Sequence, residues 1–130
     1  MRLLIVRHAE AAPGDPDELR PLTAAGREHA RELGRRLRAE GLAPDAVITS
    51  PLLRARETAA ALGLGEPEVD ERLAPGATPL DVREAALLRG DTVVVVGHQP
   101  DCGRAAAALA GGPEPPFPPC GTALVELESA

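Results

Sequence analysis

The stretch that decides the fold is MRLLIVRH, residues 1–8. Leu3 to Val6 form a continuous apolar run, which is typical of a strand buried on both faces of a parallel sheet. The run stops at two polar residues, Arg7 and His8. In open α/β sheets, ligands bind where the carboxyl ends of the strands meet the loops that follow them. Polar residues at a strand end are common, so the other strand ends must decide whether this one belongs to a site.

The composition indicates one domain with an aliphatic core. The 130 residues include no Trp or Tyr, one Phe and one Met, so Leu, Val, Ile and Ala must fill the interior. The formal net charge of -6 argues against nucleic-acid binding, which requires a basic surface. Every apolar run falls well short of the ~20 residues of a membrane span. We therefore predict a single domain over residues 1–130 that binds neither nucleic acid nor a membrane.

The sequence contains two cysteines, Cys102 and Cys120. No secretory leader precedes the first strand, so we expect a cytoplasmic protein with reduced thiols. Ala108 and Glu126 stand six positions after the two cysteines, where a cysteine phosphatase would have arginine. The spacing therefore excludes the loop in which five residues separate a nucleophilic cysteine from arginine.

Strand and helix patterns alternate along the rest of the chain. Strands are predicted at residues 46–49, at an edge near Val69 and Leu73, at residues 92–96 (TVVVV, expected to be central) and at residues 122–128. Helices are predicted from Ala24 to Glu40 after an N-cap at Thr23, from Ser50-Pro51 to Leu62, from Thr78-Pro79 to Arg89, and after Pro100 to Ala110. Residues 9–22 and 111–119 are predicted to be loops, the latter at the surface. The alternation predicts a three-layer α/β/α fold with a mostly parallel central sheet.

Polar residues follow three of the predicted strands. Arg7 and His8 end the first strand, Ser50 leads from the second strand to Arg54, and His98 follows the TVVVV strand. Parallel strands in βαβ units have their carboxyl ends at the same edge of a sheet. Two arginines and two histidines are therefore expected to meet in one crevice.

Two guanidinium groups in one cleft predict an anionic ligand, either phosphate or carboxylate. A histidine beside them could be a general base, a metal ligand or a nucleophile. A divalent metal fits poorly, because arginines repel it and the nearby Glu10, Asp15 and Asp17 lack the spacing of metal ligands. A histidine that attacks phosphorus fits these residues best, and we expect no cofactor.

Four motifs in chain order, VRHAE, RPLTAAGREHA, SPLLRARETA and VVVGHQP, resemble the histidine phosphatase superfamily, also called the phosphoglycerate mutase-like fold. The chain looks most like the small SixA-type phosphohistidine phosphatase branch, and the resemblance covers nearly all of it. This resemblance implies a metal-independent enzyme that dephosphorylates phosphohistidine proteins of the phosphotransfer-domain type.

The resemblance also implies roles for individual residues. His8 matches the nucleophile that becomes phosphorylated, and Arg7 matches its phosphate-binding neighbour. Arg54 matches the second phosphate-binding arginine, and His98 the histidine that hydrogen-bonds the transferring phosphoryl group. Arg20 matches an arginine of the SixA-like branch that lines the site and binds phosphate.

A two-step mechanism follows from these roles. Neutral His8, with its other ring nitrogen held by a backbone carbonyl, is expected to attack phosphorus in line. Arg7 and Arg54 neutralise the equatorial oxygens, and His98 adds positive charge if it is protonated. Water then hydrolyses the phosphohistidine intermediate.

Two positions depart from the family pattern. Ala9 stands where the RHG triplet has glycine, which is tolerated if the backbone φ is negative. Glu71 is the nearest counterpart of the usual acidic proton donor, although a one-residue shift places Arg72 there. An imidazole leaving group tolerates a weak or absent acid better than an alkoxide does. The chain also lacks the insertion that covers the substrate in sugar-phosphate members, which leaves the pocket open to a protein-borne phosphoryl group.

Two other functions stay open at this stage. One is a phosphomonoesterase that acts on a small phosphate ester, and the other is a non-catalytic phosphate-binding module. The presence of His8 disfavours the second. We expect a monomer, with His29 and Arg56 as solvated surface residues and Thr58 as either a packing residue or a hydrogen-bonding residue behind the site.

Overall fold

The computed structural model describes residues 1–128, which form five strands and four α-helices. The strands are β1 (Arg2–Arg7), β2 (Ala46–Thr49), β3 (Pro67–Val69), β4 (Thr92–Gly97) and β5 (Thr122–Glu126). The helices are α1 (Ala24–Ala39), α2 (Leu53–Leu62), α3 (Pro79–Ala86) and α4 (Asp101–Ala110), with short 3-10 helices at Asp17–Leu19 and Glu71–Leu73. None of the helices within residues 1–128 is both long enough and apolar enough to cross a membrane.

The five strands form one sheet in the order β3-β2-β4-β1-β5. Strand β4 lies at the centre as predicted, and it pairs in parallel with both β1 and β2. Its last residue, Gly97, is paired with Arg7, and Val96 is paired with Thr49. The carboxyl ends of β1, β2 and β4 therefore lie side by side, which confirms the expectation drawn from the strand ends. Only β5 is antiparallel among these strands, and it covers the free edge of β1.

Helices cover both faces of the sheet, which confirms the three-layer fold. Successive side chains along a strand point to opposite faces, so Leu3 and Ile5 pack with α3 and α4, whereas Leu4 and Val6 pack with α1 and α2. All four side chains are buried, each contributing about 1.5–3 kcal/mol of hydrophobic stabilisation. This packing on both faces holds the end of β1 on a rigid support.

Several predicted boundaries are wrong. Helix α2 begins at Leu53 and not at Ser50-Pro51, because the Ser50 N–H donates to the Val96 carbonyl oxygen and continues the strand ladder by one residue. Helix α3 ends at Ala86 and not at Arg89, since the chain turns through a positive φ of 62° at Leu88. The last strand ends at Glu126, and Leu73 lies in a 3-10 helix beyond β3.

Candidate active site

The two histidines predicted to meet are neighbours at the carboxyl edge of the sheet. The backbone N–H of His8 donates to the Gly97 carbonyl oxygen at 3.0 Å, so the chain beyond β1 stays aligned with the end of β4. The ring centroids of His8 and His98 lie 5.2 Å apart, with the ring planes inclined by 58°. One small group can therefore contact both rings.

The His8 ring has a defined orientation. Its Nδ1 lies 2.7 Å from the carbonyl oxygen of Ala9. A carbonyl oxygen only accepts, so Nδ1 carries the proton and the neutral ring has its lone pair on Nε2. Burial lowers the pKa of His8 below its usual 6.5, and the charges of Arg54 and Arg7 lower it further against the opposing effect of the Ala9 carbonyl. At neutral pH the ring is therefore neutral and has a nucleophilic Nε2.

Ala9 is held from behind by a buried threonine. The Ala9 N–H donates to Thr58 Oγ1 at 3.0 Å, and the Thr58 hydroxyl donates to the Arg54 carbonyl oxygen at 2.8 Å. Ala9 and Thr58 are both fully buried, and the φ of Ala9 is negative. Alanine therefore fits without strain where the family pattern has glycine. The open choice for Thr58 is settled in favour of a hydrogen bond that links α2 to the residue after His8.

Arg7 is held by a segment predicted only as a surface loop. Its Nη1 donates to the Phe117 carbonyl oxygen at 2.9 Å. Phe117 is itself buried against the core, in the proline-rich loop between α4 and β5. The sequence did offer a signal, because Phe117 is the only aromatic residue of the chain apart from its histidines. An aromatic side chain in a proline-rich segment indicates a packed loop and not a free one.

Arg54 lies in the first turn of α2 and contacts the loop after β1. Its Nη1 donates to the Asp17 carbonyl oxygen at 2.9 Å, and its Nη2 lies 3.2 Å from Asp17 Oδ2. Arg20 donates from Nη1 to Asp17 Oδ1 at 3.1 Å and from Nε to the Ala12 carbonyl oxygen at 2.9 Å. Both predicted arginines therefore meet at Asp17, a residue for which the sequence predicted no role beyond that of a poorly spaced metal ligand. The spacing of three between Asp17 and Arg20 was a signal for this ion pair.

His98 is nearly fully buried and faces Ser50. Its Nε2 lies 2.8 Å from Ser50 Oγ, which also accepts from the Leu52 N–H at 3.2 Å. Burial, followed by the charges of His8 and Arg54, lowers the pKa of His98 to about 4. The ring is therefore neutral in the free protein at neutral pH, so the condition on which it was expected to add positive charge, its protonation, is not met there.

Two buried nitrogen atoms of the site lack a hydrogen-bond partner among residues 1–128. They are Arg7 Nε and His98 Nδ1. An unpaired buried donor costs about 1–3 kcal/mol, so such atoms are uncommon outside functional sites. Both atoms belong to side chains for which the sequence predicts contact with phosphate.

Glu71 opens the 3-10 helix that follows β3. The Asp70 N–H donates to the Thr49 carbonyl oxygen at 2.9 Å, which fixes this helix at the carboxyl end of β2. Glu71 is exposed, and its carboxylate has no hydrogen bond or ion pair within residues 1–128. Arg72, the alternative match, is paired with Asp70 at 2.7 Å. The role of Glu71 stays a prediction.

Both cysteines are buried and free. Burial raises the pKa of the Cys102 thiol to about 12 and that of Cys120 to about 11. Thiols of this kind are unreactive near neutral pH. They act as small packing residues of the two core clusters.

Comparison with known proteins agrees with this geometry. Residues 3–75 match the family model of the histidine phosphatase superfamily (branch 1). The phosphohistidine phosphatase SixA of Escherichia coli is 34% identical over 128 residues, spanning 90% of this chain and 79% of the relative. An uncharacterized protein of Picosynechococcus is 40% identical over 124 residues, spanning 86% of this chain and 74% of the relative.

The fold has a close counterpart among solved structures. A structure of the protein histidine phosphatase SixA complexed with tungstate matches with a TM-score of 0.90 and 30% identity. The match covers 99% of this chain and 90% of that one. This agreement confirms the predicted phosphoglycerate mutase-like architecture.

Proposed function

This chain belongs to the histidine phosphatase superfamily and is a phosphatase, and from that premise we propose that it hydrolyses phosphohistidine on proteins. The reaction runs through a covalent phosphohistidine on His8 and requires no metal. The observation that carries the proposal is the hydrogen bond from His8 Nδ1 to the Ala9 carbonyl oxygen. This bond leaves Nε2 unprotonated beside Arg7 and Arg54, where an anionic phosphoryl group would bind.

In the first step, His8 Nε2 attacks phosphorus in line with the bond to the leaving imidazole. The new P–N bond forms on His8 as the substrate P–N bond breaks, and the departing imidazole takes a proton from water or from Glu71. Arg7 and Arg54 stabilise the charge on the equatorial oxygens. His98 donates a hydrogen bond from Nδ1 and remains neutral.

In the second step, water attacks the phosphorus of phospho-His8. The P–N bond to Nε2 breaks, inorganic phosphate leaves, and the proton of the attacking water passes to solvent. His8 returns to its neutral form with the proton still on Nδ1. The two arginines serve both steps because both transition states carry charge on the same oxygens.

Asp17 and Glu71 are acidic residues near the site that could protonate a leaving group, and their environment favours one class of substrate. Asp17 accepts from Arg20 and Arg54, and these bonds lower its pKa, so it is a poor proton donor. Glu71 is exposed and has no hydrogen bond or ion pair within residues 1–128 that would hold its carboxyl group over the site. A site with weak acids favours a leaving group that is easily protonated, such as imidazole. The similarity to the Escherichia coli phosphohistidine phosphatase supports the same class.

We further propose that the enzyme acts as a monomer in the cytoplasm, on a protein of the phosphotransfer-domain type. Both cysteines are free thiols, as a reducing compartment favours. The second candidate, a phosphomonoesterase for small esters, would use the same pocket with Glu71 as the proton donor.

The decisive experiment is to trap the phosphoryl group on His8. Brief incubation with a phosphohistidine protein, followed by mass spectrometry, should locate one phosphate on His8 that is stable to base and labile to acid. His8→Ala should carry no phosphate, and full turnover by this variant would overturn the assignment. A strong preference for sugar phosphates over the phosphoprotein would instead favour the phosphomonoesterase.

A further inference from the structure

The carboxylate of Asp17 bridges two of the arginines that the proposed reaction needs. Oδ2 lies 3.2 Å from Arg54 Nη2, and Oδ1 lies 3.1 Å from Arg20 Nη1. The Arg54 side chain is 9% exposed, whereas that of Asp17 is 57% exposed. A nearly buried cation therefore has its counter-charge on an exposed side chain of the segment between β1 and α1.

Backbone oxygen atoms position the same arginines independently of this carboxylate. Arg54 Nη1 donates to the Asp17 main-chain carbonyl at 2.9 Å, and Arg20 Nε donates to the Ala12 carbonyl at 2.9 Å. These bonds do not depend on the charge of the Asp17 side chain. The carboxylate is thus not needed to hold either guanidinium in place, and its main contribution is electrostatic.

A phosphoryl oxygen and the Asp17 carboxylate require the same donor. Arginine binds both carboxylate and phosphate through its planar fork of N–H groups. An anion bound to Arg54 therefore shares this guanidinium with Asp17, whose Oδ2 lies 3.2 Å from Nη2, and it is repelled by the carboxylate. Hydrogen bonds from Arg20 and Arg54 lower the pKa of Asp17, so the side chain is negatively charged at neutral pH.

We infer that Asp17 is an internal counter-anion that competes with phosphate for Arg54 and so weakens the retention of inorganic phosphate, the product of the second step. This inference rests on the proposed function. In the transition state, the phosphoryl group is held by its partial bond to His8 Nε2 as well as by the arginines. Free phosphate lacks that bond, so the negative charge of Asp17 weakens the retention of the product more than that of the transition state. Asp17 thus favours product release without supplying a proton.

The test is the affinity for inorganic phosphate of Asp17→Asn, measured by isothermal titration calorimetry and as an inhibition constant. Asparagine keeps the side-chain size, the acceptor oxygen and the backbone contact to Arg54, while it removes the charge. We expect phosphate to bind about fivefold tighter, as the loss of one screened like charge a few ångströms away predicts. Loss of a merely structural contact would weaken binding, so the sign of the change separates the two explanations.

Glu18→Gln is the matched control. Glu18 lies in the same 3-10 helix, is exposed, and has no side-chain hydrogen bond or ion pair within residues 1–128. This variant makes the same change in net charge and should leave phosphate affinity within about twofold of the wild type. Equal or weaker binding in Asp17→Asn, or an equal gain in Glu18→Gln, would overturn the inference. Asp17→Ser provides a second variant with the same expected sign if Asp17→Asn does not fold.

Arg54→Gln separates this inference from the proposed function. Phosphate affinity should fall in this variant, because the principal guanidinium of the pocket is lost. Phosphate binding unaffected by Arg54→Gln would count against the proposed pocket, and with it against the role of Asp17. A fall in Arg54→Gln together with no change in Asp17→Asn would overturn only the role of Asp17.

Discussion

The proton of the neutral His8 ring is held on Nδ1 by the next residue in the chain, which leaves Nε2 as the proposed nucleophile. The Ala9 carbonyl fixes the tautomer of His8, and the Ala9 N–H is in turn fixed by Thr58. The position of Ala9 therefore determines the direction of Nε2. Ala9 makes no contact with phosphate in the proposed mechanism, yet it sets the orientation of the His8 ring, the proposed nucleophile.

Thr58→Val tests this control. Valine has nearly the same shape but leaves the buried Ala9 N–H without an acceptor, which should cost about 1–3 kcal/mol of unfolding free energy. We also expect kcat to fall about tenfold, since small displacements of a reacting group are costly. Urea denaturation and steady-state kinetics measure the two effects. Thr58→Ser keeps the hydroxyl and should retain kcat; an equal loss in both variants would contradict the role of the hydrogen bond.

The positive charge of Arg54 should have a measurable effect on the pKa of His8. Arg54 is among the cations that lower the pKa of His8, after burial as the largest cause. Removing a nearby positive charge makes protonation easier, so Arg54→Gln should raise the pKa of His8 toward 6.5. The acid limb of the activity profile, where His8 loses its nucleophilic form, should move to higher pH with it.

NMR titration of the His8 ring measures this shift without relying on turnover. Arg31→Gln is the control, because Arg31 pairs with Glu28 on the exposed face of α1 and is not among the cations that shift His8. A His8 pKa that is unchanged or lower in Arg54→Gln would show that the two groups are not electrostatically coupled.

At the scale of elements, the site depends on the close packing of α1 against α2. Helix α2 supplies both Arg54 and Thr58. Gly34 of α1 lies so close to the last turn of α2 that a Cβ added to Gly34 would collide with the Leu62 carbonyl oxygen. Backbone atoms at such a contact cannot move without displacing the helix. Gly34 therefore sets the separation of the two helices.

Gly34→Ala should push the helices apart and destabilise the protein by about 1–3 kcal/mol. Gly112→Ala is a suitable control, because a Cβ there meets nothing within 4 Å and the residue does not have a positive φ. The midpoint of denaturant unfolding should fall for the first variant and stay within error for the second. Unchanged stability of Gly34→Ala would show that α1 can shift at little cost.

Elements with a local signal were predictable from sequence, and those that depend on distant contacts were not. Thr23 and Thr78-Pro79 start helices as predicted, because an N-cap hydroxyl bonds to its own first turn. Ser50-Pro51 carries the same kind of signal, yet the Ser50 hydroxyl is taken by Leu52 and His98, and the helix starts later.

The convergence of His8, Arg54 and His98 was predictable because each lies close after a strand that has its own local sequence pattern. The carboxyl ends of parallel strands then lie at the same edge of the sheet. The anchoring of Arg7 did not, since its partner Phe117 lies 110 positions away in the chain. The contacts of Asp17 to Arg54 likewise join a loop and a helix across 37 positions. The hydrophobic periodicity of a single sequence predicts helices and strands, but it carries no information about hydrogen bonds between residues so far apart in the chain.

At the scale of the whole molecule, one chain supplies every group of the proposed site. Strand β4 lies between β1 and β2, so His8 and Arg54 follow its two neighbours while His98 follows β4 itself. The loops after β1 and α4 add Asp17 and the anchor for Arg7. No step of the proposed reaction therefore needs a second copy.

Specific activity should thus be constant over about a thousandfold dilution, because a site complete in one chain does not depend on association. Turnover of a phosphohistidine protein at fixed substrate concentration measures this, with sedimentation velocity at the same protein concentrations. A His8→Ala chain, mixed in excess over the active chain but kept well below the substrate concentration, should leave turnover unchanged, since it cannot complete a site elsewhere. Activity that falls on dilution and returns on concentration would show that a second copy completes the pocket, and stimulation by the inactive chain would identify that copy as a source of residues other than His8.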